Sequence, residues 1–398
     1  MKRRIYPLRD FLNNESSSGI VLVLAALLGM IIANTSLSDE YFSILDYAFE
    51  IEMPGIFISL TVLKLINYAF MTLFFFVVGL EIKRELTSGH LSSLKSALAP
   101  FIAALGGMAF PAVIYLIFAG DIAPSGWAIP VATDIALAVG LMAIIGTQAG
   151  AGLRAFLLAL AVMDDIAAIL IIAVVYSTGV IISWGAGAAA AILATFLLQK
   201  FRARSPWFYL PAGALLWYSL YRAGLHPTLA GVIMGLLTPA ITLENSKLED
   251  GEDGEDGQLT VVEILESKLH SYSSFLVVPL FAFSNSGVAL SSDVIGTALG
   301  SPIAWGIFFG LVIGKPLGIF ATSKLFASRG LIDLPEKSSA PALIATGSVA
   351  GIGFTVAIFI AKLAFEDRAL QDIAVMAVIL GSLVSAILAL AIFKVIKR

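Results

Sequence analysis

The chain has 398 residues, 59% of them hydrophobic and 13% charged, with a mean hydropathy of +0.95. A soluble domain is about 25% charged, so this composition excludes one and indicates an integral membrane protein. The formal net charge of −4 carries no positional information, and the lack of cysteine excludes disulfides, thiolate chemistry and cysteine metal sites.

The basic start, MKRRIYPLRD, leads into an apolar stretch from Gly19 to Ala33. That stretch is longer than a signal-peptide core and many more spans follow it, so it reads as a first membrane helix. A spanning helix needs about 20 mainly apolar residues. On that rule about twelve are expected, near 18–34, 62–87, 97–118, 127–146, 153–176, 181–199, 206–221, 227–239, 261–284, 303–326, 340–361 and 371–394. The eighth is short, and Pro and Gly interrupt the fourth and eleventh. The expectation is an all-α integral membrane protein, a single transmembrane domain over 1–398. With the amino terminus inside, Lys and Arg gather in one set of loops and only Arg222, Lys362 and Arg368 fall outside, which puts both termini in the cytoplasm.

Two connections carry further information. FEIEMPGIFISL at 49–60 alternates apolar and polar around Met53-Pro54-Gly55 and reads as an outward-facing hairpin. A lone exposed hairpin is marginal, so a strand from a second subunit is a natural partner. The stretch 245–260, with the acidic Gly repeat LEDGEDGEDGQ at 248–258, reads as a disordered cytoplasmic linker between spans 1–8 and 9–12.

Charged residues at membrane depth are the candidate functional groups. FFFVVGLEIKRELTSG, 74–89, closes the second span with Glu81, Lys83, Arg84 and Glu85, either an ordinary charged helix end or an acidic funnel that senses pH. His226 in AGLHPTLAG, with Glu266 and His270 in EILESKLH, belongs to the same class. WAIPVATDIALAVG, 127–140, holds Asp134 beside Thr133 and four residues after Pro130. Proline frees nearby carbonyls, so an oxygen-rich pocket or a plain kink can form there. LALAVMDDIAAILIIAVVY, 158–176, places Asp164 and Asp165 side by side near mid-span. Each costs about 2.5–3.5 kcal/mol at the bilayer centre. Neighbours on a helix point about 100° apart, so the two reach different partners, and protons and cations would compete for their oxygens. GLVIGKPLGIF, 310–320, buries Lys315 too deep to snorkel, which calls for Asp164 or Asp165 as partner, for structure or for transport. In GSVAGIGFTVAIFIA, 347–361, Gly347, Gly351 and Gly353 permit close helix packing or an extended break. If they make a break, Asp134 and Lys315 are the charges available to offset its half-helix dipoles. Nothing in the sequence points to a soluble cofactor, a catalytic metal or nucleic acid.

Taken together, VGLEIKREL, GWAIPVATDIALAVG, LALAVMDDIAAI, HPTLAG, PLFAFSNSGV, IGKPLG and GIGFTVAIFIA closely resemble the NhaA family of sodium/proton antiporters, in order and over nearly the whole chain. The resemblance implies a twelve-helix fold with inverted repeats, spans 3–5 against 10–12, whose broken spans 4 and 11 cross near the ion site. It implies that Asp164 and Asp165 bind the transported sodium and protons, that Asp164 pairs with Lys315, and that Thr133 and Asp134 support the crossing. Glu81, Glu85, His226, Glu266 and His270 would form the pH-response region. A transporter rather than an enzyme follows, electrogenic, accepting lithium, and dimerising through the hairpin in the lipid of a bacterial inner membrane. LINYAF departs from the pattern, with Tyr68 where the family carries a supporting acid, and the acidic insertion at 248–258 adjoins the pH-response region. A sodium-coupled symporter of an organic anion is the alternative, but beyond Lys315 the midplane offers few groups to hold such a solute. An intramembrane aspartyl protease would need a water-splitting motif on a second helix, and none is visible.

Overall fold

The computed structural model describes residues 15–54, 56–89, 91–146, 149–177, 181–201, 206–241, 260–335 and 338–396. Apart from Thr260, the acidic stretch at 245–260 lies outside them. In chain order come α1 (Glu15–Ile32), α2 (Ser38–Asp46), the strands β1 (Ala48–Met53) and β2 (Ile56–Thr61), α3 (Val62–Thr87), α4 (Leu94–Ala119), α5 (Ile135–Ile145), α6 (Gly150–Val174) and α7 (Ile182–Lys200). There follow α8 (Leu210–Ala223), α9 (Leu229–Leu237), α10 (Val261–Tyr272), α11 (Val278–Asn285), α12 (Ser292–Gly300), α13 (Pro302–Ser328), α14 (Ala340–Ala350), α15 (Phe354–Ala364) and α16 (Arg368–Ile396). A 3₁₀ turn, Pro124–Val131, precedes α5. Wider π turns sit in α3 at Ile66–Phe70, between α10 and α11 at Ser273–Val277, and in α13 at Gly310–Gly314.

Among the described residues seven helices are long and apolar enough to cross a membrane, and α14 with α15 makes an eighth candidate bent by 52°. This is a multi-pass, essentially all-α membrane protein. The stretch expected as one helix at 127–146 is a 3₁₀ turn, three non-helical residues and α5. The eleventh expected span is likewise two helices, and α9, with nine residues, is shorter than a bilayer requires. Hydropathy does not reveal the π turns, nor the short helices α2 and α12.

The chain divides into two compact units, one of Met1–Ile44, His90–Ala168 and Ala282–Arg398, the other of Leu45–Gly89 and Ile169–Phe281. Within the first, α4 and α13 touch backbone to backbone. A Cβ on Gly318 would overlap the Gly106 carbonyl, and one on Gly106 would meet the Gly318 carbonyl and the Thr322 side chain. Lipid provides no hydrophobic drive between helices, so such close van der Waals approach is what holds them. Gly314 packs on Pro111 and Gly347 on Pro316 in the same way, which ties α14 to α13.

In the second unit, Gly79 and Gly231 bring α3 and α9 together, against Val232 and Thr72 respectively. The strands pair antiparallel from Ala48↔Thr61 to Met53↔Ile56. Tyr218 and Tyr221 of α8 tie β2 down, the first accepting from the Phe57 amide at 3.1 Å, the second donating to the Ser59 carbonyl at 3.1 Å. Ile51, Met53 and Phe57 remain exposed on the hairpin.

The glycine contact is open to test. Gly318→Val should destabilise the protein by about 1–3 kcal/mol through overpacking, seen as a lower Tm in detergent. Gly185→Ala on α7, which meets nothing within 4 Å, should hold Tm or raise it slightly, since alanine is the better helix former.

Candidate ion-binding site

Pro130 has no N–H to give, and the 3₁₀ turn ends one residue later, at Val131. Residues 132–134 then leave the helical conformation, with ψ of 153° at Ala132 and 103° at Asp134. On the other side α14 stops at Ala350, α15 starts at Phe354, and Gly351-Ile352-Gly353 spans the gap. The glycines of 347–361 therefore serve both expected purposes, Gly347 as a packing contact and Gly351 and Gly353 within a break. The two interruptions bond to each other, since the Asp134 amide donates to the Ile352 carbonyl at 2.7 Å.

Breaking two helices exposes two positive N-terminal ends and two negative C-terminal ends in a low-dielectric interior. Asp134 answers both positive ends. Its Oδ1 accepts from the Leu137 amide at 3.0 Å, capping α5, and its Oδ2 accepts from the Thr355 amide at 3.0 Å and from the Thr355 hydroxyl, near the start of α15. Lys315 and Thr133 answer the negative ends. The Lys315 ammonium donates to the Val131 carbonyl at the end of the 3₁₀ turn, and the Thr133 hydroxyl lies 2.9 Å from the Ala350 carbonyl at the end of α14.

These groups converge on α6. Asp164 Oδ2 is 2.9 Å from Lys315 Nζ and accepts the Thr133 hydroxyl at 2.7 Å. Asp164 and Lys315 are fully buried, and Asp165 is 5% exposed. Asp164 Oδ1 is enclosed without a hydrogen-bond partner. Asp165, the next residue of α6, is a second buried carboxyl group. The π turn Gly310–Gly314 ends immediately before Lys315, so the helix is over-wide where it presents the lysine. Such turns recur at functional sites.

A buried acid pair, one member bridged to a lysine and set against two bonded helix breaks, has the chemistry to take up a proton or a small cation. A family model described as Na+/H+ antiporter 1 matches residues 9–393. The chain belongs to that family. It is 40% identical to Na(+)/H(+) antiporter NhaA 2 of Sorangium cellulosum, over 98% of this chain and 90% of that one. Against Na(+)/H(+) antiporter NhaA 2 of Erythrobacter litoralis the identity is 42%, over 97% and 93%. Against Na(+)/H(+) antiporter NhaA of Yersinia pseudotuberculosis it is 41%, over 98% and 96%.

The remaining candidate residues of this antiporter-family chain lie in the second unit and do not form one cluster. Arg84 bridges Glu266 at 2.7 Å and Glu85 at 3.7 Å, with Glu81 one turn before Glu85 on α3. The buried Glu266 Oε2 has no hydrogen-bond partner. His270, exposed and one turn after Glu266, lies 3.4 Å from the Ser274 hydroxyl. His226 stands apart. Its Nε2 meets the Tyr176 carbonyl at 3.0 Å, and the contacts of Gly231 with Thr72 and of Gly235 with Gly79 set α9 parallel to α3. His226 therefore lies toward Tyr68, the end of α3 away from Glu81 and Glu85. Tyr68 itself sits edge-on to Tyr221, and its carbonyl accepts Trp217 Nε1 at 3.2 Å beside the Thr72 hydroxyl. An aromatic set thus surrounds Tyr68.

Sequence reasoning missed Thr355 and the carbonyls of Val131, Ala350 and Ile352. A threonine two residues past a Gly-x-Gly break was the available signal for the first. Only the fold reveals the others.

The lysine pair predicts a coupled energetic effect. Lys315→Met leaves the Asp164 charge buried alone and should cost about 3–5 kcal/mol. Asp164→Asn added to it should recover most of that loss, checked as a double-mutant cycle by thermal unfolding in detergent.

Proposed function

We propose that this chain exchanges sodium, and lithium, for protons across the membrane, and that Asp164 and Asp165 hold the transported ion. The observation that carries this reading is the divided Asp164 carboxylate. One oxygen is neutralised by Lys315 and Thr133, the other is buried and unpartnered, and Asp165 comes next in the sequence. In the proton-loaded form the ammonium satisfies Asp164. A sodium ion arriving from the cytoplasm takes the carboxylate oxygens, removes the reason for the ammonium to stay charged, and is released outside when protons return. The Lys315 ammonium and a protonated Asp165 together release more protons than one sodium charge replaces, so exchange is electrogenic. Each net charge is then driven by ~2.3 kcal/mol per 100 mV. Small hard cations find similar oxygen ligands, hence lithium.

We place the chain in the bacterial inner membrane with both termini cytoplasmic. Its fold is read as twelve spans with spans 3–5 and 10–12 as inverted repeats around breaks that cross. Both breaks and nearly all of those six spans fall in one unit, which supports that division. Alternating access then arises from movement of repeats about a fixed site. Glu81, Glu85, Glu266 and His270 serve pH response through the ion pairs of Arg84, with His226 acting at a separate place. The hairpin serves as the dimerisation arm, and its exposed Ile51, Met53 and Phe57 are the surface a second subunit would cover. Sodium-coupled uptake of an organic anion is less well supported, because Lys315, the cation found at the site among the described residues, already neutralises Asp164.

The test tracks a pH dye in vesicles made acidic inside while sodium, lithium, potassium or choline is added. Sodium and lithium alone should dissipate the gradient, and Asp165→Asn should abolish the response. An unchanged response in that variant would reject Asp165 as an ion ligand. No cation response from folded, inserted protein would reject the exchange reading.

A further inference from the structure

α15 starts without a cap of its own. Its N-cap residue, Gly353, has no side chain to accept a hydrogen bond, although the first N–H groups of any helix need partners. Asp134 supplies one, at the Thr355 amide. The amide just before it, on Phe354, donates at 3.2 Å to the hydroxyl of Ser382 on α16. Ser382 is 4% exposed and Phe354 is also buried, so no solvent stands in for this bond. α15 is therefore gripped at its first turn from two directions, by a carboxylate belonging to the other break and by a hydroxyl from a continuous helix.

We infer that Ser382 is a positioning residue for ion exchange, capping α15 from a neighbouring helix and so fixing Thr355 against Asp134. The inference rests on the proposed exchange activity. The path is short. Ser382 fixes the Phe354 amide, the adjoining Thr355 holds Asp134 with its amide and hydroxyl, and Thr133, next to Asp134, holds Asp164. Loosening the cap lets the start of α15 fray and blurs the placement of the whole set, without removing any group that would touch the ion.

α16 carries its own control. Ser385, one turn further along and fully buried, has a hydroxyl with no hydrogen-bond partner. Ser382→Ala and Ser385→Ala thus delete the same group from the same helix at similar burial, and only the first breaks the bond to Phe354.

The experiment measures sodium-driven proton movement in vesicles bearing the full-length wild type and each variant, over a range of sodium concentration and pH. Ser382→Ala should raise the apparent KM for sodium about fivefold, the scale of one lost cap, and displace the pH profile. Ser385→Ala should keep wild-type values, and Ser382→Thr, which retains a hydroxyl, should restore them. Amide hydrogen exchange in the peptide spanning Phe354 and Thr355 should quicken in Ser382→Ala alone. A purely structural serine would lower the amount of protein without moving KM or the pH profile, and that result overturns the inference. Equal effects of the two alanine variants overturn it as well. Should Ser382→Ala fail to accumulate, Ser382→Cys is measured instead, and a wild-type KM and pH profile there count against the cap. A wild type that moves no protons with any cation refutes the exchange reading, and the amide comparison then decides the capping role by itself.

Discussion

Four helix ends meeting in a space without solvent are the constraint on which the rest of this structure depends. A broken helix in lipid leaves amides and carbonyls that water cannot reach, each costing several kcal/mol if left alone. Here the two breaks are laid together so that each serves the other, through the Asp134 amide and the Ile352 carbonyl. The leftover dipole charge is offset by one carboxylate and one ammonium. Asp134 and Lys315 are therefore as much architectural as electrostatic. A helix break can persist only where opposite charge is fixed beside it, and fixed charge can persist only where a helix end offsets it.

The proposed ion site grows out of that arrangement. Lys315 already answers to the Val131 carbonyl, so its bond to Asp164 is one of two, and the ammonium can lose the second while keeping the first. The single hydroxyl hydrogen of Thr133 has two acceptors in reach, Asp164 Oδ2 and the Ala350 carbonyl, and can turn from one to the other. Each side chain that touches Asp164 is anchored to a helix end. The acid can change partners without the surrounding frame losing its own. Such a frame suits a site that must be emptied and refilled repeatedly.

Much of this was legible in the sequence because charge in a membrane is conspicuous. Asp134, Asp164, Asp165 and Lys315 stand out against apolar neighbours, and Pro130 and the run Gly351-Ile352-Gly353 mark where helices cannot continue smoothly. What stayed hidden is what lipid tolerates cheaply. Serine and threonine occur in ordinary membrane helices, so Thr355 and Ser382 carry no signal apart from the partners the fold gives them. The π turns are invisible to hydropathy, which does not register which carbonyl an amide reaches. Grouping residues by titration range also joined His226 to Glu81, Glu85 and Glu266, though chain register holds the histidine near Tyr68. Residue type conveys a pKa range and says nothing of place.

The π turn at Gly310–Gly314 has a further consequence, concerning length rather than chemistry. A π turn takes one residue more than an α turn to go once round, so the helix leaves it on nearly the bearing with which it entered. A one-residue deletion inside Gly310–Gly314 would relax α13 to a regular helix with Lys315 still facing Asp164, whereas one elsewhere in α13 would swing everything beyond it by about 100°. Along this stretch the letters are less free than the count, because Leu311 is fully buried with its side chain packed on Gly353 and Gly381.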